Sequence, residues 1–137
     1  DRGSSHNVEP SFLPPTTEYV YWFKKADGRP RFDKNWRKWG LVWRISPHAE
    51  TARIRHPAPF PLAIPFRCIA MSAPDEHSLV LDPYLGSGTT AVAATLLGLD
   101  SVGYEINPEY IELAKQRVNK VSMCRPSALP AITRNGV

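Results

Sequence analysis

Residues 79–94 read LVLDPYLGSGTTAVAA: an apolar run closing on an acid, a glycine-rich turn, then small helix-forming residues. The run predicts a short buried strand, Ser78–Asp82, with its carboxylate at the carboxyl end. Thr89 to Leu97 is rich in Ala and Leu and predicts a helix stopped near Gly98. Ser101-Val-Gly-Tyr-Glu105 repeats the pattern of a strand ending in an acid. Asn107-Pro108 then supplies an N-cap with proline at the first helical position. Beyond it Ile111, Ala114, Val118 and Val121 share one helical face. Strand–loop–helix–strand–helix is a βαβα unit, whose strands must run parallel with a right-handed crossover.

Upstream the signals are shorter. Glu18-Tyr-Val-Tyr-Trp-Phe-Lys24 is aromatic and β-branched and predicts a strand, with Ala26-Asp27-Gly28 as the turn after it. Leu41 to Ile45 is a second short candidate strand. Prolines interrupt residues 46–61, and Pro65 to Ser72 predicts a short helix with proline in its first turn. After about Met123 the chain reads as a loose tail.

The composition, 42% apolar and 22% charged over 137 residues, suits a single soluble domain. The net charge of +4 is unevenly placed: residues 19–44 carry eight cations against two acids, so the rest sums to −2. A basic segment of this kind points to a polyanionic partner. Cys68 and Cys124 stand far apart, and His6, His48, His56 and His77 form no ligand pattern, so no metal is expected. No run approaches the ~18 apolar residues of a membrane span, and no secretory signal is visible. A reduced, cytoplasmic protein away from membranes is the expectation.

Gly86-Ser-Gly88-Thr-Thr-Ala91 has the dinucleotide spacing G-x-G-x-x-G/A, and Glu105 lies where an acid would meet a ribose. A nicotinamide-binding reading therefore stands on spacing alone. Asp82 weighs against it, because a carboxylate at the strand end would face the pyrophosphate. The glycines are not followed by the Lys-Ser/Thr of a triphosphate loop. S-adenosyl-L-methionine (AdoMet) carries no phosphate; its ammonium and sulfonium would be attracted by the acid. A turn acid at Asp82 and a solvated strand end at Glu105 are the plainer alternatives. Together, flanking the glycine loop, the two acids favour a cationic ligand bearing a ribose.

Asp82-Pro-Tyr-Leu-Gly-Ser-Gly-Thr-Thr90 resembles motif I of the DNA amino-methyltransferases, which methylate adenine N6 or cytosine N4; Tyr84 stands where the family typically has Phe. Val102-Gly-Tyr-Glu105-Ile-Asn-Pro-Glu-Tyr-Ile111 resembles motif II. His56-Pro-Ala-Pro-Phe60-Pro61 resembles motif X, and Thr17 to Lys24 resembles motif VIII more weakly. The order VIII, X, I, II is that of the permuted β group, and the likeness covers residues from about 5 to 120.

The resemblance implies a Rossmann-like α/β AdoMet-dependent methyltransferase fold, present in part: the cofactor-binding half plus one antiparallel strand. It places an AdoMet-binding core at residues 56–121 and implies these roles. Asp82 holds the ammonium. Pro83, Tyr84, Gly86, Ser87 and Gly88 form the loop, its glycines lying close to the cofactor where a Cβ would obstruct. Thr89 and Thr90 offer hydroxyls to the methionine carboxylate. Glu105 takes the ribose hydroxyls, with Ile106 and Asn107 beside it. His56, Pro57 and Phe60 line the methionine end.

The family's catalytic tetrapeptide, an Asp, Asn or Ser followed by Pro-Pro and an aromatic, grips the amino nitrogen and stacks on the flipped base. The only Pro-Pro here, Leu13-Pro-Pro-Thr16, lacks both flanking groups, so no catalytic residue is assigned. The chain alone is expected not to turn over. A fragment, one subunit of a split enzyme and a degenerate DNA-binding relative are the explanations left open, with a second chain or a homodimer as the partner. Double-stranded DNA is the implied substrate, in a prokaryotic or phage setting. Residues 25–45 are the candidate DNA-contact segment. There Arg29, Arg31, Lys34, Trp36, Arg37, Lys38 and Trp39 interleave cations with rings, a composition that tracks phosphates and stacks on bases. Trp22 and Trp43 are expected in the core.

Overall fold

The computed structural model describes residues 17–28, 39–46, 60–72, 75 and 77–124. The chain divides into two compact units, residues 1–30 and 31–137. In the first, the expected turn closes where Gly28 N–H donates to the Lys25 carbonyl (3.0 Å). Tyr19, Tyr21 and Phe23 alternate onto one side, their ring centroids 6.2 and 6.3 Å apart. That is the side-chain spacing of extended backbone. Residues 18–24 nonetheless form no ladder among the described residues, and their large side chains are exposed. Among the described residues the antiparallel strand expected there has no partner, and β-propensity measures fit to a pleated neighbour.

The second unit carries the architecture. Helix α1 spans Ala63–Ser72, strand β1 Leu79–Asp82, helix α2 Thr89–Leu97, strand β2 Asp100–Gly103 and helix α3 Pro108–Cys124. Strand β1 pairs with β2 in parallel, with Leu81 opposite Val102 and Asp82 opposite Gly103. The βαβα reading is therefore correct, and the α2 boundaries match the sequence expectation residue for residue. Helix α1 begins two residues earlier than expected and keeps Pro65 in its first turn, where the missing N–H has no intrahelical partner to lose. The Leu41–Ile45 segment is not a strand: Leu41 and Val42 are exposed.

Helix α2 is the centre of the unit and touches α1, α3 and both strands. Ala91, Val92, Ala93 and Ala94 are all buried, which at 100° per residue surrounds most of the helix. Small side chains permit that approach from three sides. Ile69 of α1, Ala93 and Ala94 form the core, flanked by Leu62, Phe66, Val80, Leu97 and Leu99. Helix α2 stops at Gly98, which has φ 78°. Gly98 N–H donates to Thr95 O (3.1 Å) and Leu99 N–H to Ala94 O (2.9 Å). This is a Schellman cap with Leu99 folded back onto the core. On α3 the expected stripe faces inward, with Ala114 buried and Ile111, Val118 and Val121 half-buried.

The sheet is covered on one side. Val80 faces α2, whereas Leu79 and Leu81 are exposed, so β1 is half-open rather than buried as its apolar run predicted. An apolar run marks capacity for burial on both faces, and the second face has no covering element among the described residues. No described helix is long and apolar enough to cross a membrane.

Candidate functional site

The carboxyl ends of β1 and β2 meet at the glycine loop. Asp82 Oδ1 accepts the Tyr84 N–H (2.9 Å), an Asx-turn that bends the chain out of the strand. The ladder continues one step through Tyr104 N–H to Asp82 O (3.0 Å), and Leu85 N–H donates back to Tyr104 O (2.9 Å). Asp82 is half-buried, and its second oxygen accepts no hydrogen bond among the described residues.

Glu105 lies just past the end of β2 and reaches across to the loop. Its Oε2 accepts the Gly86 N–H (2.9 Å) and its Oε1 accepts the Asn107 N–H (2.9 Å). One carboxylate thus ties the first loop to the second. Asn107 is the N-cap expected of it, its Oδ1 accepting the Glu109 N–H (2.9 Å).

Behind the loop stands a residue the motif reading did not single out. Arg117 Nη1 donates to the Ser87 carbonyl (2.6 Å), Ser87 Oγ (2.9 Å) and Thr89 Oγ1 (3.1 Å). Burial holds this guanidinium below its ordinary pKa. The sequence did carry a signal: Arg117 is three residues after Ala114, which puts a cation on the buried stripe of α3.

This arrangement divides the expected cofactor residues into two sets. Thr89 is 2% exposed and its hydroxyl is turned to Arg117, so it is not offered to a ligand as expected. Ser87 is buried with it. Gly88 has a packing reason of its own: a Cβ there would lie 2.6 Å from Ala114 Cβ, so the missing side chain admits α3. Its φ of 80° adds a second reason for glycine. Gly86, with φ 52°, keeps the loop position.

Asp82, Gly86, Thr90, Glu105 and Asn107 are half-buried, and Pro83, Tyr84 and Ile106 are exposed, Ile106 almost completely (99%). Phe60 is exposed. His56 and Pro57 lie outside the described residues, as do Arg29, Arg31, Lys34, Trp36, Arg37 and Lys38 of the basic segment. Trp39 is described and half-buried; the Arg67 guanidinium of α1 sits 5.2 Å from its ring centroid and 5.5 Å from that of Trp43. Trp43 is half-buried rather than enclosed, with its Nε1–H on the Gly40 carbonyl (3.1 Å).

A parallel βαβα unit with a glycine loop between two strand-end acids belongs to the class that binds nucleotide-like ligands at the carboxyl edge of a sheet. The particular family follows from comparison. The DNA methylase family model of the N6/N4 type matches residues 3–116, and the chain belongs to that family. Type II methyltransferase M2.LlaDCHI of Lactococcus lactis subsp. cremoris is 31% identical over 125 residues, covering 83% of this chain and 46% of the relative. Type II methyltransferase M.SmaI of Serratia marcescens is 40% identical over 102 residues, covering 73% and 33%. The chain thus spans less than half the length of these relatives. Among solved structures, the M1.HpyAVI–SAM complex is 36% identical over 46% of this chain and 32% of that one, with a TM-score of 0.43. A Thermus thermophilus DNA modification methylase complexed with S-adenosyl-L-methionine is 29% identical over 59% and 40%, also with a TM-score of 0.43.

Proposed function

We propose that this chain is the AdoMet-binding part of a DNA methyltransferase that acts on adenine N6 or cytosine N4. One observation carries the reading: Asp82 and Glu105 stand at the carboxyl ends of adjacent parallel strands, on either side of a loop in which the Leu85, Gly86 and Gly88 N–H groups are already paired. Two carboxylates there oppose a pyrophosphate and attract a cationic ligand with a ribose. The donor set fits AdoMet. Asp82 would hold the ammonium with its second oxygen. Glu105 would take the ribose hydroxyls, its carboxylate oriented by the backbone bonds from Gly86 and Asn107. Thr90, Tyr84 and Ile106 line the open side, and His56, Pro57 and Phe60 are assigned to the methionine end.

When bound, AdoMet supplies an electrophilic methyl on its sulfonium. The residues of this chain bind and orient; none of them is assigned to grip the target amine. That role falls to another part of a longer polypeptide, to a second chain, or to a homodimer mate. Double-stranded DNA is the proposed substrate, contacted through the 25–45 segment, in the cytoplasm of a prokaryote or its phage. The phosphate contacts there would supply affinity without sequence choice.

The test is calorimetric titration of the full chain with AdoMet, with NAD in parallel. Saturable AdoMet binding that Asp82→Ala removes is the expected result. NAD binding that survives Asp82→Ala would reverse the cofactor assignment. Affinity for DNA with no affinity for AdoMet would leave a DNA-binding remnant instead.

A further inference from the structure

Arg117 is oddly placed for a cation. It lies against Ser87 and Thr89, at the first turn of α2, where the helix dipole is positive. It is half-buried, and all three of its hydrogen-bond partners are neutral oxygens. A long, flexible, charged side chain is held here against both desolvation and the dipole. The loop conformation it contacts accounts for that cost.

The peptide plane joining Ser87 to Gly88 is tied at both ends. Its N–H, that of Gly88, donates to Leu85 O (2.9 Å), and its carbonyl, that of Ser87, accepts from Arg117. One residue earlier, Gly86 N–H is held by Glu105. A plane followed by glycine turns over easily, because glycine occupies positive and negative φ at similar cost. Gly88 is at φ 80°, so the loop depends on something to keep that plane in one orientation. Among the described residues, Arg117 supplies the only side-chain bond to its carbonyl end.

We infer that Arg117 is a positioning residue: holding the Ser87 carbonyl while Glu105 holds the Gly86 N–H, it sets the glycine loop in its cofactor-accepting shape before any ligand arrives. This rests on the AdoMet reading above. The guanidinium does not touch the ligand; it acts through the Ser87–Gly88 peptide and the buried hydroxyls of Ser87 and Thr89. Preorganisation of this kind lowers the ordering cost of binding.

The experiment uses the full chain as wild type, Arg117→Met and Arg117→Lys. Two readouts are taken at a temperature where far-UV circular dichroism shows all three folded. The first is the pair of Gly86 and Gly88 amide signals in a nitrogen–proton correlation spectrum without AdoMet. The second is the AdoMet dissociation constant. Arg117→Met is expected to shift and broaden the Gly88 amide and to weaken AdoMet about tenfold, a ~1.4 kcal/mol effect. Arg117→Lys, which keeps one donor to the carbonyl, should fall between. A folded Arg117→Met chain with wild-type Gly88 amide and wild-type affinity overturns the inference. So does lowered thermal stability with both readouts unmoved, the mark of a merely structural arginine. Where Arg117→Met does not fold, Arg117→Lys decides by the same two readouts. Wild type failing to bind AdoMet refutes the cofactor reading, and the ligand-free amides still decide whether Arg117 sets the loop.

Discussion

Gly88→Ala tests the packing argument most sharply, because two separate costs meet at that position. The residue has φ 80°, and placing a side chain in the left-handed region costs roughly 1–2 kcal/mol. The added Cβ would also meet Ala114 Cβ at 2.6 Å and Ala114 Cα at 2.9 Å. One of those contacts is backbone, so α3 itself must move, and overpacking of that kind costs about 1–3 kcal/mol. Together the loss is about 2–5 kcal/mol, a large part of the ~5–15 kcal/mol that holds a small domain. With a urea slope of about 2 kcal/mol per molar, the unfolding midpoint should drop by roughly 1–2.5 M. Two other glycines separate the terms. Gly40→Ala has φ 64° with nothing within 4 Å of the new Cβ, so it carries the backbone cost alone. Gly103→Ala meets Leu85 Cδ1 at 2.7 Å with no positive φ, so it carries a contact cost alone, eased by a side chain that can turn. A double-mutant cycle with Ala114→Gly removes the contact to Cβ and leaves that to Ala114 Cα, so it relieves part of the clash, with an expected coupling of about 0.5–1.5 kcal/mol in favour of the pair. Equal losses for Gly88→Ala and Gly40→Ala, or no coupling to Ala114→Gly, would refute the account.

Other perturbations follow from the same geometry. Glu105→Gln replaces one acceptor with a donor facing a backbone N–H, and urea titration should register about 1–3 kcal/mol of lost stability. Arg67→Met removes the cation beside Trp39 and Trp43; about 0.5–1 kcal/mol should go, with a change in tryptophan emission. Leu81→Thr on the open sheet face should change stability by no more than about 0.5 kcal/mol, and a larger loss would mean that face is covered. Burial raises the Cys68 thiol pKa, while the unfolded thiol titrates near ~8.5. Since the folded value is the higher one, this group's contribution is complete below about pH 8.5 and is lost as pH rises through the folded value. Thermal melts above pH 8.5 should therefore decline less steeply in Cys68→Ala than in wild type.

The βαβα unit was legible because each of its signals is local. Asn107-Pro108 sets a helix start through its own side chain, and Gly98 ends α2 through its own φ. The two acids were legible for the same reason, being the last polar residues of short apolar runs. What the sequence did not disclose depends on residues distant in the chain. Thr89 read as a ligand contact from the loop alone, and only Arg117, more than twenty residues later, turns it inward; the packing of Gly88 against Ala114 is as distant in the chain. Trp43 read as core from its hydrophobicity, yet it shares Arg67 with Trp39 at a half-open position. The aromatic run at 18–24 has strand character that only a partner edge can realise, and propensity does not say whether one is present.

Among the described residues, the hydrogen bonds that shape the glycine loop lie between Asp82 and Arg117. A binding loop closed by contacts inside one continuous stretch, residues 82–117, does not depend on the order in which the surrounding segments are strung together. It can also sit early or late in a longer polypeptide without being rebuilt. Rearranging the segment order around residues 82–117 should therefore leave the loop's internal hydrogen bonds intact, making this stretch a portable cassette rather than a feature of one chain order.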